Sequence, residues 1–215
     1  NVGTGSIDAG TITDADTVGT YGCTLGGADA ADFACSISGS TVNVAFAADP
    51  NYESPADADT NNVYIVTVLI DDGAADDANG ATTLTITVAD VNDITPTYTA
   101  TSTTPTVTEG ATAVDSNVAI TDADSGDSNT CNLGGADAGS FTCTLSGQTA
   151  YSLAFSSAPD YENPGSAGSS NEYTVTVSIN DGSNDGATIT YTVTVADAND
   201  QTPVYQAADA DDAIT

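Results

Sequence analysis

Lysine, arginine and histidine are absent from the sequence, which carries 31 aspartate and glutamate residues and a formal net charge of −31 at pH 7. Without an imidazole or an amine there is no Ser-His triad, no Schiff-base lysine and no cationic clamp for a phosphate. Only a carboxylate pair, as in glycosidases or aspartic proteases, could serve in catalysis. We therefore predict that the protein is not an enzyme. A polyanion also repels nucleic acid and anionic membrane surfaces, so neither is expected as a partner.

Tryptophan and methionine are also absent, and aromatic residues make up 6% of the chain. The scarcity of aromatic side chains disfavours a sugar-binding platform, which leaves a carbohydrate-binding domain as a remote alternative. The missing methionine indicates a mature or excerpted segment. No apolar run approaches the ~18 residues of a membrane-spanning helix, so no membrane span is expected. Apolar residues nevertheless account for 40% of the chain and alternate in register, which predicts a folded protein.

The four cysteines form two pairs, Cys23 with Cys35 and Cys131 with Cys143, and the members of each pair are 12 residues apart. Pairs at matching places in the two halves of the chain predict disulfides formed in an oxidising compartment. A zinc site is a weaker interpretation, because two thiolates per half without a histidine do not complete a tetrahedron.

An internal repeat runs through the whole sequence. The segments ITDAD at Ile12, LGGADA at Leu25 and NYESP at Asn51 return, with small changes, 107 to 109 residues later. Apolar residues that alternate with threonine and serine, as in 172–181 and 187–197, predict half-buried antiparallel strands. About seven strands and no helix are expected in each copy. We predict an all-β protein of two tandem seven-stranded Greek-key sandwiches, immunoglobulin-like in kind, in a head-to-tail array.

Acidic loops follow the last predicted strand of each copy. The segment VADVNDITPTY at Val88 returns as VADANDQTPVY at Val195, and no cationic side chain exists to neutralise it. Spaced Asp and Asn oxygens in a short loop suit Ca²⁺, which takes roughly six to eight oxygen ligands. For a single loop of this kind a solvated turn is the alternative, since Asp and Asn favour turns for backbone reasons.

The two loop segments, DVNDITP and DANDQTP, resemble the linker motif of the cadherin repeat family, D-x-N-D-x-x-P. Other signatures of the family follow in order, and the resemblance covers essentially the whole chain. They are DAD at Asp14 and Asp122, DYE at Asp160, a first-strand glutamate at Glu109, and an aspartate after the sixth strand at Asp72 and Asp181.

The resemblance implies cadherin-like repeats with Ca²⁺ bound between successive copies. Repeat 1 would occupy 1–95 with its linker at 90–96, and repeat 2 would occupy 96–203 with its linker at 197–203. Residues 204–215 would be the start of the next repeat or a donor strand.

Carried over residue by residue, the resemblance implies three groups of calcium ligands. The internal joint would use Glu53, Asp90, Asn92, Asp93, Asp122, Asp124 and Asp181. The far end of the second copy would use Glu109, Asp160, Glu162, Asp197, Asn199 and Asp200. The top of the first copy would share ions with the linker acids of a preceding unit through Asp14, Asp16 and Asp72.

The first copy departs from the family pattern at two places. Asn51 stands where the second copy has Asp160, and no first-strand glutamate precedes Asp14. With fewer charges, the internal joint is expected to bind fewer or looser ions than the far end of the second copy.

The two ends of the chain would together complete a third linker. Pro96 lies 26 residues before Asp122, and the residues that follow Pro203, joined to those up to Asp14, span the same distance. Two interpretations remain open. The segment is one period of a longer tandem array, or it is a subunit whose segment Thr202–Thr215 supplies a first strand to the next subunit.

The sequence therefore predicts an extracellular or cell-surface filament module, structural or adhesive, whose joints are stiffened by calcium. Its expected partners are identical subunits or adjacent repeats in a fibre, together with a cell-surface or matrix ligand. A calcium-dependent cell-cell or surface adhesin is the alternative function.

Overall fold

The computed structural model describes residues 5–15, 20–73, 80–126 and 128–206. The helical segments among these residues are two short 3-10 turns, Ala30–Asp32 and Ala138–Ser140. No helix in the described ranges is long and apolar enough to cross a membrane. The chain divides into two compact units: unit 1 comprises Asn1–Ile94 with Ala123–Asp127, and unit 2 comprises Thr95–Asp122 with Ser128–Thr215.

The strands of unit 1 form two antiparallel sheets. Its described residues contain β1 (Ser6–Thr11), β2 (Gly22–Gly26), β3 (Phe33–Ser38), β4 (Thr41–Phe46), β5 (Val63–Asp71) and β6 (Thr82–Thr87). One sheet has the order β1-β4-β3 and the other the order β2-β5-β6.

Unit 2 repeats this arrangement with one additional strand on each sheet. Its strands are β7 (Thr97–Tyr98), β8 (Thr106–Thr108), β9 (Ala113–Thr121), β10 (Thr130–Gly134), β11 (Phe141–Ser146), β12 (Ala150–Phe155), β13 (Glu172–Asn180) and β14 (Ile189–Ala196). The sheet orders are β11-β12-β9-β7 and β10-β13-β14-β8. Every pair is antiparallel except β14 with β8, which is parallel.

The predicted alternation is confirmed, because the inward residues of the long strands form the two cores. In β13 the side chains of Tyr173, Val175, Val177 and Ile179 are buried, and the threonines and serine between them are only half-buried. Each core also contains a stacked phenylalanine pair, Phe33 with Phe46 and Phe141 with Phe155, against which a buried tyrosine packs edge-on. The fold is the all-β pair of sandwiches that the sequence predicts.

The two predicted disulfides, Cys23–Cys35 and Cys131–Cys143, are present. Cys23 lies on β2 and Cys35 on β3, which are edge strands of different sheets. The second disulfide joins β10 to β11 in the same way. Each disulfide therefore links the two sheets of one sandwich along one side.

The repeated LGGADA segment is explained by a buried aspartate in each copy. Asp29 accepts hydrogen bonds from the backbone N–H groups of Ala58 (2.8 Å) and Ile65 (2.6 Å), and Asp137 accepts the equivalent pair in unit 2. The preceding Gly27 has φ +97°, and a Cβ there would lie 2.8 Å from the Ile65 carbonyl oxygen. A glycine is needed for this close approach, and the aspartate then fastens the loop to β5.

The units differ at the side opposite the disulfide. In unit 2 the first strand is split into β7 and β8, which pair with β9 in one sheet and β14 in the other. In the described part of unit 1, no strand occupies these two places beside β1 and β6. Unit 1 therefore shows six strands there, while unit 2 has the predicted seven with the first divided between its sheets.

Candidate metal centres

A first cluster of carboxylates lies in unit 1 and consists of Glu53, Asp90 and Asp124. Glu53 comes from the loop between β4 and β5, Asp90 follows β6, and Asp124 follows β9 in the segment that packs with unit 1. One carboxylate oxygen from each residue lies within 4.8 Å of the others, and all three side chains are half-buried.

Hydrogen bonds from neighbouring backbone groups hold this cluster in place. Asp90 Oδ2 accepts from the Ser125 backbone N–H at 2.6 Å and from the Ser125 hydroxyl, while Asp124 Oδ2 accepts from the Ile94 N–H at 2.7 Å. Glu53 Oε1 and Asp90 Oδ1 are buried without a hydrogen-bond partner among the residues that the structure describes. Buried oxygens of this kind are expensive unless something else satisfies them.

The pKa values in the first cluster record crowding of negative charge. The two hydrogen bonds from Ser125 lower the pKa of Asp90, so it stays ionised. A backbone hydrogen bond acts to lower the pKa of Glu53, but burial and the carboxylates of Asp93, Asp124 and Asp90 together raise it. Glu53 therefore faces anionic neighbours at close range, and Asp93 belongs to the same acidic environment.

A second cluster, in unit 2, consists of Glu109, Glu162 and Asp197. Glu109 follows β8 and is 9% exposed, Glu162 lies in the loop before β13, and Asp197 follows β14. Their oxygens also lie within 4.8 Å of one another, although Glu162 and Asp197 are exposed. Glu109 Oε2 accepts from the Tyr161 N–H and Glu109 Oε1 from the Ala198 N–H, both at 2.7 Å.

The second cluster shows the same division of pKa shifts as the first. The backbone N–H groups of Tyr161 and Ala198 lower the pKa of Glu109. Burial, followed by the carboxylates of Glu109, Asp200 and Asp197, raises the pKa of Glu162. In each cluster, hydrogen-bond donors thus keep one carboxylate ionised, while a second carboxylate lies close to other negatively charged carboxylates.

The donor set of both clusters fits a hard divalent cation. Each cluster offers only oxygen ligands, converging from three separate loops, and the chain has no cationic side chain to balance them. Oxygen-only sets of this kind suit Ca²⁺, while sulfur and imidazole, which zinc and copper favour, are missing from both clusters.

The structure places the remaining predicted ligands as follows. Asn92 and Asp93 lie in the loop after β6, Asn199 and Asp200 follow β14, and Asp122 directly follows β9. Two others have backbone partners that account for at least one carboxylate oxygen. Asp160 Oδ1 accepts from Asn163 N–H at 3.0 Å, and the buried Asp181 accepts from Ser183 and Asn184 at the end of β13.

The third predicted group, at the other end of unit 1, is only partly described. Asp14 and Asp72 both lie near the Tyr21 hydroxyl, which donates to Asp14 at 3.4 Å. Burial, followed by these two carboxylates, raises the pKa of Tyr21. Asp16 lies outside the described residues. The assignment of all three groups as calcium ligands stays a prediction.

Sequence reasoning missed the groups that orient the clusters. Ser125, and the backbone N–H groups of Ile94, Tyr161 and Ala198, fix the carboxylate orientations. Backbone donors leave no trace in the residue pattern. Ser125 directly follows the DAD segment, and that position was the one available signal.

Known structures of cadherin repeats share this fold. The chain matches protocadherin gammaB7 EC3-6, described as a cis-dimer structure, at 24% identity over 93% of this chain and 45% of that one, with a TM-score of 0.62. It matches protocadherin gamma B2 extracellular cadherin domains 3-6 at 20% identity, over 95% of this chain and 45% of that one, with a TM-score of 0.64. Human CDH23 EC21-23 matches at 24% identity over 96% and 73%, with a TM-score of 0.63.

These likenesses show that both units have the cadherin-like repeat fold. The chain spans less than half the length of the two protocadherin chains. No protein-family model and no curated protein matches the sequence.

Proposed function

We propose that the protein is an extracellular structural module whose cadherin-like repeats bind Ca²⁺ at the two acidic clusters and join head to tail in a fibre. The bound ions stiffen the fibre. Two disulfides and the likeness to extracellular cadherin domains support the extracellular location.

The observation that carries the proposal is the pair of buried, unpartnered oxygens in the first cluster, Glu53 Oε1 and Asp90 Oδ1. They lie beside a third carboxylate, Asp124, in a chain without a single cationic residue. A bound cation would satisfy these oxygens and cancel their mutual repulsion. A solvated turn, the alternative for a lone acidic loop, leaves such oxygens in contact with water.

Chain connectivity links ion binding to stiffness. The chain leaves unit 1 after Ile94 and returns to it at Ala123. Asp90 comes before this excursion and Asp124 after it, so one ion held by both would tie the outgoing and returning segments together. Without the ion the same carboxylates repel, and the segments are free to separate.

Calcium titration of matched variants tests the proposal. Calorimetry on the wild-type chain should detect binding that falls for Glu53→Gln with Asp90→Asn, and separately for Glu109→Gln with Glu162→Gln. Glu172→Gln with Asp49→Asn is the control, because it also removes two carboxylate charges, from exposed residues outside both clusters. Unchanged binding in both double variants would refute the assignment.

Electron microscopy of the native assembly tests the mechanical part. Fibres in millimolar calcium should become visibly more curved when a chelator is added. Straight fibres in excess chelator would contradict the stiffening role.

Adhesion is the second candidate function, favoured by the likeness to a protocadherin structure described as a cis-dimer. Beads coated with the chain would aggregate in calcium if copies adhere laterally or across surfaces. Aggregation without fibres would favour the adhesin over the structural module.

A further inference from the structure

Unit 1 has a groove on the side opposite its disulfide. The groove has a volume of about 440 Å³ and opens between β1 of one sheet and β6 of the other. Core side chains form its floor, and Asp8 lies at its wall. The apolar lining comprises Ile12, Val42, Val44, Val68, Ile70 and Leu84.

In unit 2 the corresponding space is filled by the first strand. The Tyr98 hydroxyl donates to the Ala187 carbonyl at 2.5 Å and accepts from the Ile179 N–H at 3.0 Å, and its ring packs edge-on against Tyr151. Strand pairing shows that Ile179 of unit 2 is equivalent to Ile70 of unit 1, because Cys131 pairs with Ile179 and Cys23 pairs with Ile70. Tyr98 of unit 2 thus lies where unit 1 has its groove, beside the residue equivalent to Ile70.

Two further contacts of the unit 2 first strand have counterparts in unit 1, one in the groove at Asp8 and one beyond it at Val88, directly after β6. The Thr101 N–H donates to Asp115 at 2.9 Å, and Asp115 stands opposite Leu153 as Asp8 stands opposite Val44. Val107, which is 5% exposed, pairs with Val195 in parallel. Unit 1 has the buried Val88 in the position of Val195.

The C-terminal segment of the chain carries the same pattern as the first strand of unit 2. TPVYQAADADDAIT at 202–215 aligns without a gap with TPTYTATSTTPTVT at 95–108. The alignment matches Pro203 with Pro96, Tyr205 with Tyr98, and Ile214 with Val107. In the structure Pro96 is fully buried, whereas Val204 and Tyr205 are 82% and 89% exposed.

We propose that the unit 1 groove binds the segment Pro203–Thr215 of a second copy of this chain, in the place that β7 and β8 hold in unit 2. Tyr205 enters the groove beside Ile70, and Ile214 lies against Val88. This rests on the proposed head-to-tail fibre and names its contact. Strand addition of this kind is heterologous, so it propagates and does not close.

Side-chain size in the groove agrees with this occupant. Unit 1 has Val42 where unit 2 has Tyr151, and Leu84 where unit 2 has Tyr191, so more space is left for an incoming strand. The segment offers isoleucine at position 214 where the first strand of unit 2 has valine.

Engineered cysteines test the register of the contact. Ala196 pairs with Thr108 in unit 2, and the equivalent positions are Ala89 and Thr215. Copies carrying Ala89→Cys, mixed with copies carrying Thr215→Cys, should form disulfide-linked dimers under mild oxidation in calcium. Thr85→Cys with Thr215→Cys is the mismatched control. Thr85 corresponds to Thr192 of unit 2, which lies two positions before Thr194, the first residue of β14 that pairs with β8. The four native cysteines are all paired, so they offer no free thiol. Equal cross-linking of both pairs would overturn the proposed register.

Variation of the donor segment tests the contact without disturbing the fold, because Tyr205 is exposed in the single chain. Tyr205→Ala should raise the critical concentration for fibre formation about a hundredfold, as expected for a buried aromatic anchor. Gln206→Ala is the control beside it. A synthetic peptide of residues 202–215 should inhibit wild-type assembly, and the same peptide with Tyr205→Ala should not.

The outcomes separate this proposal from the proposed function. Normal, calcium-stiffened fibres of Tyr205→Ala would overturn strand donation and leave the fibre module standing. Absence of fibres from the wild-type chain in calcium, with no calcium binding, would overturn the fibre module itself. If dissolved native fibres yield a chain much longer than 215 residues that continues from Thr215 into another copy, the groove is filled within one polypeptide and the second-copy proposal is overturned.

Discussion

Units 1 and 2 have the same strand order, the same disulfide and the same buried loop aspartate, yet they complete their cores differently. Unit 2 contains β7 and β8, and Tyr98 seals the open side of its sandwich. At the same place the described part of unit 1 has a groove of about 440 Å³. In unit 2 the first strand thus fills the side of the sandwich that is a groove in the described part of unit 1.

The two units also differ in what lies beneath that strand. In unit 2 the hydroxyl groups of Tyr191 and Tyr151 are 2.8 Å apart, and Tyr191 donates to Asp115 at 3.0 Å. Unit 1 has apolar residues, Leu84 and Val42, in place of the two tyrosines. Unit 2 therefore has a buried network of hydrogen bonds beneath its first strand, and unit 1 has an apolar groove floor at the same place.

The largest effect is expected when unit 2 is made to resemble unit 1. Tyr98→Ala should lower the free energy of unfolding of unit 2 by about 4 kcal/mol, because it creates a cavity and leaves backbone groups at Ile179 and Ala187 unpaired. Hydrogen exchange should show β13 and β14 destabilised and β5 and β6 unchanged. Tyr161→Ala, which truncates a tyrosine that is 38% exposed, is the control. Equal loss in the two variants would show that the strand does not seal the core.

Removing a disulfide is expected to affect the two units alike. Cys23→Ala with Cys35→Ala should destabilise unit 1 by about 3 kcal/mol in the chain-entropy description, and Cys131→Ala with Cys143→Ala should do the same in unit 2. Both bridges span 12 residues and join the same pair of edge strands. Thermal unfolding of the two double variants measures the effect. A much larger loss in unit 1 would mean that its disulfide compensates for the open side.

Calcium should stabilise both units, and the buried cluster should respond more strongly. If both clusters bind calcium as proposed, each should add about 2.7 kcal/mol to the free energy of unfolding at free calcium of about 100 times the dissociation constant, and a chelator should remove this gain. Because Glu53, Asp90 and Asp124 are all half-buried while Glu162 and Asp197 are exposed, Asp90→Asn should weaken binding more than Asp197→Asn. Calorimetry compares the two variants. The reverse order would favour the sequence-based expectation of a looser internal site.

The smallest effect concerns the tyrosine pair in unit 2. Tyr191→Phe should cost about 1 kcal/mol, because it leaves the buried Asp115 and Tyr151 with one partner fewer. Tyr161→Phe is the control, because it removes the same hydroxyl from a tyrosine that is 38% exposed. Unfolding in urea measures the loss in both variants. If Tyr191→Phe is no less stable than the control, the buried network contributes nothing to the stability of unit 2.

The same pair predicts a difference between the units at high pH. Burial, then the neighbouring Tyr151 and Asp115, raises the pKa of Tyr191 far above its usual range, and burial raises the pKa of Tyr151. A pKa raised in the folded state gives stability that is present below about pH 10, the pKa of tyrosine in the unfolded chain, and is lost above it. Unit 2 should therefore lose more stability than unit 1 above about pH 10, as followed by hydrogen exchange, because Tyr151 and Tyr191 lie in its core whereas Tyr21 of unit 1, whose pKa is also raised, is only half-buried. An equal loss of stability in the two units would contradict this role for the tyrosine pair.

The features of the fold that the sequence predicted are those that depend on the internal repeat and on the alternation of apolar and polar residues. The all-β fold, the inward residues of β13 and β14 and both disulfides follow from periodicity and from the internal duplication. The grouping of Glu53 with Asp90 and of Glu109 with Asp197 was implied by the resemblance to the cadherin repeat family, and their role as calcium ligands stays a prediction.

What the sequence did not reveal depends on contacts between distant residues. The hydrogen bonds from Ile65 to Asp29 and from Ser125 to Asp90 join residues more than 30 positions apart. The contact of Tyr191 with Asp115 spans 76 positions. No local pattern encodes such pairs, because each residue alone is compatible with an ordinary loop or strand.

The position of the disulfides also bears on how the chain would behave under tension. The residues between Cys23 and Cys35 are enclosed by a covalent bond, so a pull on the chain cannot draw them out. Rupture of a unit would release a shorter contour length than its residue count implies, and reduction of the bond would restore the difference. A thread built from such units would be limited in its extensibility by the redox state of its surroundings.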